Sequence, residues 1–151
     1  MPQIVLVEPE IPPNTGNVAR TCAATSTPLH LVEPLGFEIS DRQLRRAGLD
    51  YWPHVPLTRH RDWDAFLGSQ QQLGGRLVGL SRHATLSYLD WEYSRDDWLL
   101  FGCETRGLPE HVRDICDVLL QIPMPCEAVR SLNLSVAAGV VLFEARRQLQ
   151  T

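Results

Sequence analysis

The chain predicts an α/β fold, a mostly parallel sheet with helices on both faces. Short apolar runs rich in β-branched residues recur along it, and helical or turn-rich segments separate them. Its 151 residues suffice for one domain with a real core, and no linker, repeat or low-complexity segment divides it. Residues 1–151 are therefore expected to form a single domain.

Residues 3–7, Gln-Ile-Val-Leu-Val, read as a buried strand closed by Glu8-Pro9. Residues 12–17, Pro-Pro-Asn-Thr-Gly-Asn, read as a loop by their punctuation, and 18–25 as a helix carrying Arg20 in its first turns. A second strand is expected at 29–32. A short basic helix is expected at 41–47, capped by Ser40 or Asp41 and stopped by Gly48. Tyr51-Trp52-Pro53 breaks the chain before a minor strand at 54–57, and an amphipathic helix covers 62–73 up to Gly74-Gly75. Strands follow at 76–80, 98–101 and 118–122, with a helix opened by Pro109 over 109–114. The last helix, from Leu134 to Leu149, opens on a run in which only Ser135 is polar, so it needs cover all round. Its small block Ala137-Ala138-Gly139 admits a close neighbour, and Ser131 and Asn133 are N-cap residues before it. A core helix with an ordinary cap accounts for the same residues.

Hydrophobic content is 44% and charged content 21%, both usual for a globular protein. No apolar run reaches the ~18 residues of a membrane span. The start, MPQIVLVEPE, has neither a basic n-region nor a cleavage-site pattern, so a cytoplasmic protein is expected. Cys22, Cys103, Cys116 and Cys126 form no C-x-x-C pair and read as reduced thiols, with no metal site. His30, His54, His60, His83 and His111 show no acid–base partner at a telling spacing. Net charge is −4, yet all 14 basic residues are Arg, the better phosphate-binding cation. Three groups stand out: Arg42, Arg45 and Arg46; Arg59, His60 and Arg61; Arg146 and Arg147. They read either as RNA-phosphate contacts or as solvated helix faces.

In parallel sheets ligands bind at the carboxyl ends of strands, which directs attention to the loops after Val7, Leu80, Phe101 and Ile122. Three of these carry unusual residues: Asn14-x-Gly16-x-x-x-Arg20, Gly102-x-Glu104-x-x-Gly107-Leu108-Pro109, and Ile122-Pro-Met-Pro with Ser131-Leu-Asn133-Leu-Ser. No G-x-x-x-x-G-K-[ST], G-x-G-x-x-G or G-x-S-x-G occurs, so P-loop, Rossmann and α/β-hydrolase readings have no support.

Together the three segments resemble the SPOUT class of RNA methyltransferases, in the branch that methylates ribose 2′-hydroxyls. The run from Glu8-Pro9 to Asn17 and the run from Leu44 to Tyr51 are similar to its minimal members, which modify the wobble nucleotide of tRNA-Leu. The resemblance covers nearly the whole chain. It implies a C-terminal trefoil knot, S-adenosylmethionine as cofactor and methylation of cytidine or 5-modified uridine in the anticodon stem-loop. It also implies a homodimer joined by the last helix. Leu80, Gly102, Ile122 and Ser131 would hold the cofactor, and Arg20, Glu104 and Asn133 would be the catalytic set. Arg20 would orient the ribose and stabilise charge on oxygen, because its side chain stays protonated and makes a poor base. Glu104 would fix its loop or Arg20, and Asn133 would shape the cofactor loop. Val136 and Phe143 depart from the Asn and Tyr usual at those positions. The competing reading is a knotted module that binds RNA without turnover, against which Arg20, Glu104, Ser131 and Asn133 all stand intact.

Overall fold

A computed structural model describes residues 1–39, 42, 46 and 49–151. The expected basic helix at 41–47 lies largely outside the described residues; Arg42 and Arg46 have helical backbone and are exposed. The elements run β1 (Gln3–Val7), α1 (Pro12–Thr25), β2 (Leu29–Val32), a 3-10 helix (Leu49–His54), β3 (Leu57–His60), α2 (Trp63–Leu73) and β4 (Leu77–Leu80). They continue with β5 (Leu86–Ser87), β6 (Trp98–Phe101), α3 (Glu110–Ile115), β7 (Val118–Gln121) and α4 (Leu134–Leu149). The strands form a single sheet in the order β3-β2-β1-β6-β4-β7-β5, and every pairing is parallel.

The strand alternation puts one apolar set on each face, so both faces need helices. Ile4, Leu6, Leu29, Leu31, Leu99, Phe101 and Leu120 pack against Val18, Ala19 and Cys22 of α1 and against Ala138, Val141, Leu142 and Ala145 of α4. Val5, Val7, Leu77, Trp98 and Leu100 pack against Phe66 of α2 and Val112 of α3. The α/β class with covered faces is the one the sequence predicts.

Two expectations need correction. Residues 12–17 are not a loop but the first turns of α1. Pro12 and Pro13 sit at its start, where their missing N–H groups and fixed φ cost nothing. The strand expected at 54–57 begins instead at Leu57, because Leu49–His54 forms the 3-10 helix and β3 pairs with β2 from Leu29↔Leu57 to Val32↔His60. Smaller shifts occur at Asp62, which caps α2 by accepting from the Ala65 amide at 2.8 Å, and at Pro109, which precedes α3 as its N-cap.

Two backbone positions shape the loops at the carboxyl edge. Glu8 turns the chain out of β1 at φ 52°, with its N–H on the Val32 carbonyl at 2.9 Å. Gly102 admits no side chain: a Cβ there would lie 1.9 Å from the Gly107 carbonyl carbon and 2.1 Å from the Leu108 nitrogen. The segment after β6 therefore folds back onto itself, closed by the Gly107 N–H on the Cys103 carbonyl at 2.9 Å.

On the face of the sheet that α2 covers, His30 and His60 share a hydrogen bond of 2.9 Å, and His30 reaches the Gln3 amide oxygen at 2.7 Å. The pair lies among Phe66 and Trp98. Burial, then the neighbouring His60, push His30 down to about 4, and burial lowers His60 as well. Both rings therefore stay neutral in the folded chain where an unfolded chain binds protons. Stability contributed by the neutral pair is full above pH ~6.5 and falls as pH drops from there towards about 4. We expect the urea midpoint to be level from pH 8 to 7 and to fall steadily below pH 6.5. In NMR titrations the His30 ring should not protonate until near pH 4; titration at the usual imidazole pH would contradict the buried pair.

Candidate active site

The loops after β4, β6 and β7 and the start of α4 enclose a cavity of about 520 Å³, a size suited to a nucleoside-like molecule. Leu80, Gly102, Ile122 and Ser131, the four positions expected to hold a cofactor, all line it. So do Asn14, Glu104 and Asn133. Apolar side chains of Ile11, Leu80, Ile122, Leu134 and Ala137 mix there with polar groups and strand-end backbone.

A chain of hydrogen bonds joins the three sequence segments across this cavity. The Glu104 carboxylate accepts from the backbone N–H of Glu10 at 2.8 Å and of Ile11 at 3.1 Å, and from Asn14 Nδ2 at 3.3 Å. Asn14 Oδ1 in turn accepts from Asn133 Nδ2 at 2.9 Å. Asn133 Oδ1 faces α4 and accepts from the Ser135 amide at 2.9 Å, the Ser135 hydroxyl at 2.6 Å and the Val136 amide at 3.4 Å. Asn133 thus caps the last helix with one end of its amide and holds the first segment with the other. Asn14 is buried and can serve both neighbours only because it sits in the first turn of α1, the turn that reading 12–17 as a loop overlooked. Beside this chain the Thr105 hydroxyl donates to Glu10 Oε1 at 2.6 Å. That bond, first among several, holds the Glu10 carboxyl below its usual range.

Of the two partners expected for Glu104, its carboxylate takes the loop. Arg20 lies further along α1, exposed and outside the cavity lining, with its guanidinium carbon 5.1 Å from the centre of the Tyr51 ring. Tyr51 entered the sequence reasoning as part of a chain break and as the end of a run carrying the resemblance, without a role of its own. Asn14 likewise entered as a motif letter without a role. The signal for both was their place in the segments that carry the resemblance. Ser131, expected as a possible cap, is exposed in the loop, and the cap falls to Asn133 alone.

Among the described residues, no group of three or more His, Cys, Asp or Glu is arranged to hold a metal ion. No helix among them is long and apolar enough to cross a membrane. Cys22 and Cys116 are free thiols, each pushed up to about 12 by burial, so neither offers a thiolate at neutral pH.

Comparison with known proteins places this geometry. Residues 1–143 match the SpoU rRNA Methylase family. A Saccharophagus degradans protein named tRNA (cytidine(34)-2′-O)-methyltransferase is 51% identical over 148 residues, covering 97% of this chain and 94% of its own length. A Polaromonas protein of the same name is 50% identical over 146 residues, covering 96% and 89%. A solved structure described as giving insights into the 2-OH methylation of C/U34 on tRNA superposes with a TM-score of 0.95. It is 51% identical and covers 99% of this chain and 97% of its own. The SpoU methyltransferase AviRb from Streptomyces viridochromogenes, solved in complex with the cofactor AdoMet, superposes with a TM-score of 0.91. It is 26% identical, covering 99% of this chain and 60% of its own. With the family match running from the first residue into α4, and with the three segments joined round one cavity, the chain belongs to the SpoU methylase family.

Proposed function

We propose that this chain methylates the ribose 2′-hydroxyl of nucleotide 34, a cytidine or 5-modified uridine, in tRNA-Leu, using S-adenosylmethionine. The observation that carries the reading is the Asn133–Asn14–Glu104 chain, which gathers all three segments around one cavity. The names of relatives at about half identity support tRNA and cytidine 34; tRNA-Leu and the 5-modified uridine rest on the resemblance of the sequence segments. In this reading the whole chain works as one domain, knotted in its C-terminal half, in the cytoplasm.

The lining suits the cofactor. Leu80 and Ile122 offer apolar contact for an adenine, while backbone at Gly102 and the Ser131 loop offer polar contact for its edge and ribose. When bound, S-adenosylmethionine supplies a methyl group activated by its sulfonium. The remaining work is alignment and management of charge. Glu104 and Asn133 position the loops. Arg20, held over Tyr51, orients the ribose of an RNA lying across α1 and the cavity mouth, and stabilises the negative charge that develops on its 2′-oxygen. Arg20 does not accept the proton, since a guanidinium stays charged; a phosphate or water takes it.

We also propose a homodimer through α4. Its inner face is covered by the core, but Val136 and Phe143 remain 50% and 55% exposed. They share one stripe with Gly139 and Val140, at helical spacing. A Cβ on Gly139 would meet nothing within 4 Å, so in the single chain that glycine faces open space. A second copy laid along the stripe would cover it.

Incubation with tRNA and S-adenosylmethionine, followed by nucleoside mass mapping, should place one added methyl on nucleotide 34; no gain there ends the reading. Arg20→Ala should lower single-turnover methylation by about 10²–10³-fold and leave cofactor affinity within a few-fold. Arg20→Lys should restore little, because a point charge does not reproduce the planar fork. Near-normal turnover in Arg20→Ala would remove Arg20 from the mechanism.

Gly139→Arg should shift sedimentation to the monomer while the thermal transition of the isolated fold persists, since a Cβ at that position opens onto free space in the single chain. A wild-type protein that sediments as a monomer at micromolar concentration would overturn the dimer.

A further inference from the structure

We propose that Arg82, Arg106 and Arg130, with His83 beside them, form a cationic rim on the cavity that grips backbone phosphates of the RNA flanking the modified nucleotide. The proposal rests on the RNA-methylating reading above and adds which side chains hold the substrate.

The three arginines come from three different loops. Arg82 and His83 follow β4, Arg106 follows β6 and Arg130 follows β7, yet all line one cavity. All four side chains are exposed. None of the arginines is in an ion pair among the described residues. Arg106 has only a through-space pull on Glu10, whose carboxylate is already bonded to Thr105. Of the acidic side chains on the lining, Glu104 is occupied with backbone N–H groups, which leaves Glu127 against three guanidinium groups and an imidazole. A chain with net charge −4 thus keeps a local excess of uncompensated positive charge at one opening.

Of the groups that stand out in the sequence, the arginines at 59–61 and 146–147 differ. Arg59 is paired with Glu33, Arg61 with Asp62 and Arg147 with Glu144. Arg146 donates to the Thr25 carbonyl at 3.2 Å. These side chains are already engaged within the fold. A guanidinium with no partner, set where an anion arrives, is suited to bidentate contact with phosphate. Three such groups on three loops exceed what the single carboxylate of an amino-acid cofactor can use, whereas a polynucleotide presents a phosphate at every step.

The test is tRNA binding measured over a range of salt with the full chain. Each phosphate contact released should lower the slope of log affinity against log salt by about 0.7–0.9. Arg82→Gln, Arg106→Gln and Arg130→Gln should each reduce the slope by roughly one such step and weaken low-salt binding several-fold. S-adenosylmethionine affinity by calorimetry should stay within two-fold. Arg59→Gln and Arg147→Gln should leave the slope unchanged. A triple rim variant with wild-type slope and affinity overturns the proposal. So does a triple variant that loses cofactor affinity as much as tRNA affinity, which would assign these arginines to the cofactor. Rim-dependent tRNA binding without methyl gain at nucleotide 34 would keep the rim and remove the proposed function. Methylation at 34 with an unaffected triple variant would do the reverse.

Discussion

The carboxylate of Glu104 is where the carboxyl edge of the sheet is tied together. It accepts two backbone N–H groups from the loop after β1 and the amide of Asn14, and Asn14 passes the link to Asn133 at the start of α4. Hydrogen bonds to a charged acceptor contribute about 1.5–3 kcal/mol each, more than neutral ones. The two residues of the closest bond in sequence terms are still far apart along the chain, so these bonds set positions that local structure cannot. Gly102 completes the constraint by letting the β6 loop close against the Gly107–Leu108 backbone. The cavity is what remains between loops fixed in this way.

The same arrangement explains the shape of α4. Its sequence reads as apolar all round, and the structure divides that girth in two. Ala138, Val141, Leu142 and Ala145 are spent on the sheet and α1, while Val136 and Phe143 stay open. The capping residue that begins this helix is also the last link of the hydrogen-bond chain. One side chain, Asn133, therefore ties the start of the helix that carries the open stripe to the cavity wall.

Much of the fold was legible because its signals are local. The apolar runs at β1, β2, β4, β6 and β7 fall where the parallel sheet has them, within a residue or so. Pro12-Pro13 misled in one direction: the same residues that break a helix also start one, and a single sequence does not distinguish the two. The strand at β3 was displaced because Tyr51-Trp52-Pro53 is part of a 3-10 turn rather than a break before a strand. At the site, residue types were legible and partners were not. Glu104 could equally have met Arg20, and whether an arginine is engaged can depend on a contact between distant segments, as Arg59 with Glu33 shows. The His30–His60 pair was invisible for the same reason: two histidines thirty positions apart meet only because β2 and β3 lie side by side.

The most direct measurement of the central constraint is a double-mutant cycle on S-adenosylmethionine affinity, using Asn14→Ala, Asn133→Ala and the pair, with Leu73→Ala as a distant exposed reference. If one hydrogen-bonded chain shapes the cavity, the double variant should lose little more than the worse single, a coupling of roughly 0.5–3 kcal/mol. Losses that simply add would show that the two asparagines act independently and would contradict the account.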